Sequence, residues 1–435
     1  MSEAAAGRVI VASVSKHQSF ETALAAQRAG LLHRFVTSVY FDRHRFPYRL
    51  VGMLPRGPCR RAVRRLRVRS QPGLDPTRVR SVYRPEVLTT ALARVPGVAR
   101  ALGAENLMYL KNELFDRAVA RAHLEACDVF HGFDGCALVS LACAKALGAT
   151  TILDCPAPHA SAVDELMKEE YARNGLRPQR PVRRAMLAQQ RQRAEITGAD
   201  YLLVPSEFAR RTYLKAGVAP ERVWVVPYGA SLRRFRPALP PDAVSTARFR
   251  VLFVGNGFLR KGLVYLLEAV RRLGLPDLEL VVVGLPLRGG DWLLARYRGL
   301  FEHLTYVPPE RLPQLYRSAD VFALPSLAEG SALVVYQALA CGLPVVTTEH
   351  AGSIVRDGRD GFLVPLRDTM SLAECLHALH GDALLRREMG ESAACRAQCF
   401  GWERYHGALG TLYHRMIGIG RGERAASEAA VKGVA

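Results

Sequence analysis

The 435-residue chain is short of several things: long apolar runs, aromatic residues (8%), lysine and acidic charge. Its longest mostly apolar stretch, Ala332 to Val346, is broken by Gly342 and Pro344. That falls below the roughly 18 residues a membrane-spanning helix needs. Met1 to Gly7 lacks the charged start and apolar segment of a secretory leader. The nine cysteines (Cys59, Cys127, Cys136, Cys143, Cys155, Cys341, Cys375, Cys395 and Cys399) are odd in number and form no Cys-x-x-Cys pair. Cys395 and Cys399, four apart, share one helix face. A disulfide framework and a zinc knuckle are both excluded, and a reduced, cytosolic chain is expected. The length suits two or three domains, and 49% apolar residues are enough for ordinary globular cores.

What is abundant is arginine. There are 60 Lys+Arg against 40 Asp+Glu, a net charge of +20, and only seven of the cations are lysine. Between Arg43 and Arg84 stand thirteen arginines and one acid, Asp75. This stretch lacks the interleaved aromatics of a single-strand nucleic-acid platform and any helix-turn-helix or zinc-finger pattern. Cys59 to Arg69 (CRRAVRRLRVR) sets Ala62, Val63, Leu66 and Val68 among arginines, as in a basic amphipathic helix lying on a membrane. The expected partner of Arg43 to Arg84 is therefore an anionic membrane surface and not nucleic acid. The plainer alternative is a solvated arginine-rich face.

Short β-branched runs alternate with helix-like segments, as parallel βαβ units require. In the first half they are Arg8–Val14, Asp128–His131, Thr150–Leu153, Tyr201–Val204 and Val223–Val226, with a polar loop at Arg173–Arg184. The proline-rich stretch from Pro227 towards Ser245 has a linker composition. A second series follows at Arg250–Val254, Glu279–Val283, Thr305–Val307, Val321–Ala323, Val345–Thr347 and Gly361–Val364. The pattern predicts an α/β protein of two Rossmann-like, doubly wound domains facing a cleft.

Two segments carry chemistry. Val251–Gly262 (VLFVGNGFLRKG) runs from a buried strand through Gly255, Asn256 and Gly257 to Arg260 and Lys261, just ahead of an apolar helix. Glycines at a strand-to-helix turn let backbone approach a ligand, and the helix N-terminus favours anions. Taken alone this is equally a tight turn with two solvated cations. Ala323–Thr348 (ALPSLAEGSALVVYQALACGLPVVTT) says more. Glu329-Gly330-Ser331 precedes a helix over Ala332–Cys341, capped by Gly342. Glu329 is expected to meet hydroxyls, the amides of Ser331 and Ala332 to face a phosphate, and Gln337 to lie two turns on.

Pro325-Ser326 through Pro344 is similar to the donor-site signature of glycosyltransferase family 4, retaining enzymes of the GT-B fold. The pattern is Pro-Ser, Glu-Gly, an acid eight residues on, then a Gly-x-Pro turn. Further segments resemble the family as well: Asp128–His131, Arg193–Phe208, Val225–Gly229 (VVPYG), Val251–Gly262, Gly352–Pro365 and Trp402-Glu403. The resemblance implies an acceptor-side domain at 1–228, a nucleotide-sugar domain at 229–400, a helix at 401–416 crossing back to the first domain, and a disordered tail at 417–435. It implies catalytic roles for Glu329, His159 and Lys261. Gly255, Asn256, Gly257, Arg260, Tyr306, Val307, Gly330, Ser331, Ala332, Leu333 and Gln337 would bind the donor. Lys16 and His17 are candidates on the acceptor side, and His131 is read as structural or as a support behind the site residues. The chain departs from the family at Gln337, where an acid receives the ribose, and at Asn256, where Arg is common.

The resulting expectation is a retaining transferase moving sugar from a nucleotide-sugar to a lipid-linked or polysaccharide acceptor in bacterial glycan biosynthesis. It would be cytoplasmic and peripheral at the inner membrane face. No Asp-x-Asp triplet or metal-ligand cluster is seen, so neither metal nor cofactor is expected beyond the nucleotide-sugar co-substrate. The rival reading is a non-catalytic nucleotide-sugar-binding subunit of a biosynthetic complex.

Overall fold

The computed structural model describes residues 7–16, 18–42, 69–176, 183–237, 248–286 and 290–432. His17, most of the basic stretch (43–68), the central part of the proline-rich linker (238–247) and much of the Arg173–Arg184 loop lie outside them.

Parallel strands covered on both faces need near-continuous apolar sequence. VIVAS in β1 (Val9–Ser13) and VFHGF in β4 (Val129–Phe133) are buried throughout. With β2 (Leu32–Thr37), β3 (Val79–Ser81), β5 (Thr150–Asp154), β6 (Tyr201–Val204) and β7 (Val223–Val225) they form a sheet of order β3-β2-β1-β4-β5-β6-β7. The second sheet comprises β8 (Phe249–Val254), β9 (Leu278–Val283), β10 (Glu302–Leu304), β11 (Val321–Leu324), β12 (Val345–Thr347) and β13 (Gly361–Leu363). Its order is β10-β9-β8-β11-β12-β13, and the pairing is parallel, with Val251 opposite Val321 and Val345 opposite Gly361. Strand order reverses between β1 and β4 and again between β8 and β11. Open parallel sheets bind ligands at such points, outside the carboxyl ends of the strands.

Among the described residues, seven helices lie in sequence between strands of the first sheet: α1 (Ser19–Arg28), α2 (Arg84–Arg94), α3 (Pro96–Ala122, kinked at Gly103), α4 (Leu138–Ala146), α5 (Ala160–Arg173), α6 (Arg183–Gly198) and α7 (Glu207–Lys215); by contact, α5 and α7 group with the second unit. The remainder are α8 (Leu263–Leu273), α9 (Asp291–Arg296), α10 (Leu312–Arg317), α11 (Leu333–Ala340), α12 (Thr369–Gly381), α13 (Ala383–Gln398) and α14 (Trp402–Lys432). α8 shows why such segments fold. Leu263, Leu266, Leu267 and Val270 recur at helical spacing and are all buried, while Arg271 and Arg272 close the last turn, where cations suit the dipole. Gly274, at φ 58°, ends it.

The structure departs from the sequence expectations in four places. Residues group by contact into two units, Met1–Cys155, Arg180–Leu203 and His406–Ala435 against Pro156–Gln179 and Val204–Tyr405. The chain thus passes between the two groups four times, where the expectation had a boundary at 228 and a return at 401. The last helix joins the first unit from His406 onward, but it continues to Lys432, past the expected end at 416. Ile417 is buried, and the Ala- and Glu-containing sequence from Glu423 onward favours helix despite its low apolar content. The strand expected at Thr305–Val307 lies one turn earlier, at Glu302–Leu304, leaving Tyr306 and Val307 just beyond it. β2 escaped the pattern because His33 and Arg34 interrupt its apolar run; both meet Glu125 at the sheet margin.

Within the first unit lies a buried polar network. His131 is fully buried, its Nδ1 2.8 Å from the Tyr413 hydroxyl, which fits the structural reading. Asp116 and Glu195 accept amides of the α4 N-terminus and share Arg191. Asp134, just past β4, accepts from Gln192 at 2.5 Å, and its Oδ1 has no partner. Burial first, then the charges of Glu195 and Asp154, push its carboxyl up to about 7. A carboxyl raised above its unfolded value of about 4 keeps a proton that the unfolded chain releases, so stability falls as pH rises from about 4 through 7. Asp134→Asn is expected to flatten that fall, gaining about 1–4 kcal/mol over the parent at pH 8 and little at pH 4. Calorimetric unfolding at both pH values checks this; superimposable pH dependences would refute it.

Candidate active site

The second unit gathers its charged side chains at the switch point of its sheet. After β8 the chain turns through Gly255, Asn256 and Gly257 into Arg260 and Lys261; after β11 it runs from Pro325 to Gly330. Gly262 holds the two loops together. Its φ is +72°, and a Cβ there would fall 1.9 Å from the Pro325 carbonyl oxygen, so only glycine fits. Arg260 reinforces the seam: its carbonyl accepts the Leu327 amide at 2.9 Å, and its guanidinium donates to the Ala328 carbonyl at 2.6 Å.

This seam places Glu329 between the two cations. Lys261 Nζ is 3.0 Å from Oε2, and Arg260 Nη1 is 2.5 Å from Oε1. The Arg260 approach lies off hydrogen-bonding direction, so buried Oε1 accepts no hydrogen bond among the described residues. The Lys261 stem runs across Gly255, whose absent side chain leaves its path clear. Burial lowers the Lys261 ammonium below the ordinary lysine range; Glu329 opposes that shift and Arg260 adds to it. The Glu329 amide is fixed by the His350 carbonyl at 2.8 Å.

α11 begins four residues after Glu329. The Ala332 amide does not face a ligand: it donates to the Ala351 carbonyl at 3.0 Å. That corrects the expectation that Ala332 helps to receive a phosphate. Ser331 Oγ is likewise engaged, by Tyr336 Oη and the Gly352 carbonyl. The amides of Ser331, Leu333 and Val334 have no acceptor among the described residues, as the first turn of a helix leaves them.

His159 belongs to the same unit and caps α5 through Nδ1, which lies 2.7 Å from Ser161 Oγ. Its amide donates to Thr212 Oγ1 at 2.9 Å. A Cβ on Gly330 would fall 1.9 Å from the Pro156 carbonyl oxygen, so the loop leading to His159 packs directly on the loop bearing Glu329.

Other expected positions are more committed than the sequence suggests. The Asn256 side-chain Oδ1 accepts the Leu285 amide at 2.9 Å, joining the ends of β8 and β9. Gln337 accepts from buried Tyr316 at 3.2 Å, leaving its amide nitrogen to donate. Tyr306 is 65% exposed. Lys16, in the first unit, donates to the Ser70 carbonyl at 3.2 Å and lies over the Phe20 ring.

Sequence reasoning missed His350. Its carbonyl holds Glu329, its Nδ1 lies 2.9 Å from the Leu327 carbonyl, and its ring stacks on Phe208 at 4.3 Å. Burial lowers its pKa. It lines a cavity of about 530 Å³ with Leu166, Glu169, Phe208, Arg211 and Thr212, a volume typical of small-molecule sites. Its position just past β12, at the carboxyl edge of the sheet, was the available signal.

Two doubly wound sheets in series, with the charged groups at the second switch point, define the GT-B class of glycosyltransferase folds. Solved structures agree on the fold. Sucrose-phosphate synthase from Thermosynechococcus elongatus aligns with a TM-score of 0.61 at 20% identity, over 95% of this chain and 100% of that one. Anabaena HepE in complex with UDP-glucose aligns with a TM-score of 0.59 at 16% identity, over 94% and 99%. Residues 248–382, which hold the second sheet, match the family described as Glycosyl transferases group 1. Similar curated proteins include the D-inositol 3-phosphate glycosyltransferases of an Arthrobacter species (35% identity, 45% of this chain, 51% of that protein) and of Nocardia farcinica (34%, 54% and 58%). The chain spans between half and three fifths of the length of these two relatives.

Gly262→Ala is expected to break the seam between the two loops. The left-handed backbone and the clash with Pro325 together cost about 2–4 kcal/mol. A urea midpoint equal to that of the parent would show that the loops are not held there.

Proposed function

We propose that the protein is a retaining glycosyltransferase that moves a sugar from a nucleotide-sugar donor to a lipid-linked or polysaccharide acceptor. The observation that carries this reading is Glu329 held against Lys261 and Arg260 beside the open first turn of α11. Two cations and one carboxylate leave the cluster with an excess of one positive charge, which suits an anionic ligand. In this reading Lys261, Arg260 and the amides of Leu333 and Val334 meet the donor diphosphate and stabilise the charge that develops as it leaves. Glu329, relieved of part of its cation contact, accepts hydroxyls of the sugar. His159 faces the same sugar from the Pro156 loop, and the free amide of Gln337 donates to the ribose. The neutralising charges come from side chains and helix amides, without a metal or further cofactor.

HepE was solved with UDP-glucose, which supports a donor of that class. The names of the curated relatives support a phosphorylated cyclitol as a second acceptor to test. A peripheral membrane position is proposed for the first unit. Tyr83, Val87 and Leu88 are exposed at the start of α2, beside exposed Arg80 and Arg84. Apolar side chains rimmed by arginine suit an anionic lipid surface. No helix among the described residues is long and apolar enough to cross a membrane.

The test is calorimetric titration with UDP, GDP, ADP and dTDP, followed by nucleotide release from the corresponding donor sugars. One diphosphate is expected to bind, and Lys261→Ala to weaken it by about 10- to 100-fold, the range of one charge-assisted contact. Glu329→Ala is expected to weaken the intact nucleotide-sugar more than the bare diphosphate. Binding without turnover would favour the non-catalytic subunit, and binding of none would end the donor-site reading.

A further inference from the structure

Arg367 is the one non-glycine residue at positive φ among the described residues, at 65°. Such backbone is costly for a side-chain-bearing residue and persists where surrounding contacts over-determine it. Here those contacts are plain. The Arg367 side chain is 13% exposed and reaches α5 through Glu169 at 2.8 Å, Glu170 at 3.1 Å and the Leu166 carbonyl at 3.2 Å. Glu170 is fully buried. It also accepts from the Tyr265 hydroxyl, 2.8 Å from Oε2, and from Asn174 at 2.8 Å. A buried carboxylate is tolerable only when its oxygens are met in this way.

The three partners stand on elements that matter to the site. Tyr265 is on α8, one turn beyond Lys261. Arg367 precedes Asp368, which caps α12. Glu170 is on α5, the helix that His159 caps and whose Ala162, Glu165, Leu166 and Glu169 line the 530 Å³ cavity. At 1.5 Å per residue, His159 lies about 16 Å along the helix from Glu170. A helix end is fixed in space only if the far end is fixed too.

We propose that Arg367 is a positioning residue: with Glu170 and Tyr265 it clamps α5 to α8 and thereby holds His159 and the cavity wall in register with Lys261 and Glu329. This rests on the transferase reading above. The clamp touches no reacting atom; it acts through helix placement, where an error of about 1 Å can cost a hundredfold in rate.

The test compares the full-length parent with Arg367→Ala, Arg367→Lys, Glu170→Gln and Tyr265→Phe; the last removes one hydroxyl and leaves packing in place. UDP release from UDP-glucose, UDP affinity and backbone hydrogen exchange are measured. Arg367→Ala is expected to lower kcat by about 10- to 100-fold, with donor KM and UDP affinity within about twofold of the parent. Tyr265→Phe is expected to do so more mildly, and Arg367→Lys to recover part of the loss. Exchange in residues 160–173 is expected to rise in Arg367→Ala while that of β8 to β13 stays as in the parent. An unchanged exchange rate in α5 overturns the clamp whether or not the protein turns over sugar. Unchanged kcat, or kcat falling only in step with donor affinity, overturns the positioning role. If the parent releases no nucleotide from any of the UDP-, GDP-, ADP- or dTDP-sugars but α5 loosens, the transferase reading is at fault and the clamp survives as architecture alone.

Discussion

The architecture of the second unit turns on keeping an ammonium and a carboxylate together out of water. Lys261 and Glu329 are each about nine-tenths buried, and neither charge would be stable there alone. Everything around them serves that pairing. β8 and β11 are neighbours in the sheet, so the loops that follow them emerge side by side. Gly262 lets those loops touch, and Arg260 staples one to the other through backbone contacts. The pair is not self-sufficient, because Arg260 adds a second cation and Oε1 of Glu329 lacks a hydrogen-bond donor. A site poised in this way is stable enough to fold and incomplete enough to bind.

Its neighbours are built by the same economy of side chains. Gly330 admits the Pro156 carbonyl, and Gly352 admits the Gly330 carbonyl together with Ser206 Oγ. Three backbone segments thereby meet at one point where a methyl group would separate them. Close-packed backbone transmits displacement instead of absorbing it, so Glu329 answers to the loops before α5 and after β12.

Much of this was legible in the sequence. Glycine and proline punctuate Pro325–Pro344 so heavily that strand, turn, helix and strand could be read directly, and the apolar runs of β1, β4, β8, β9 and β11 to β13 gave the parallel sheets. What stayed hidden is tertiary. The Ala332 amide looked free because its acceptor, Ala351, lies beyond a whole helix and strand. Asn256 looked like a ligand contact because Leu285 belongs to the next strand's loop. Arg367 and Glu170 are 197 residues apart, and no periodicity links them. The extension of α14 was hidden for a different reason: helix propensity persists where apolar pattern fades.

The four passages of the chain between the two units bear on how the protein is made. Residues 204 to 405 follow one another without interruption, so most of the second unit is available as soon as that length has left the ribosome. The first unit, although its strands are made earlier, lacks its helical contribution from His406 onward until residue 405 has been made. Domains usually mature from the N-terminus during translation; here the unit whose strands are made first is completed after the second. Until then Tyr413 cannot reach His131, and the strand carrying that histidine waits with its ring partner still unmade.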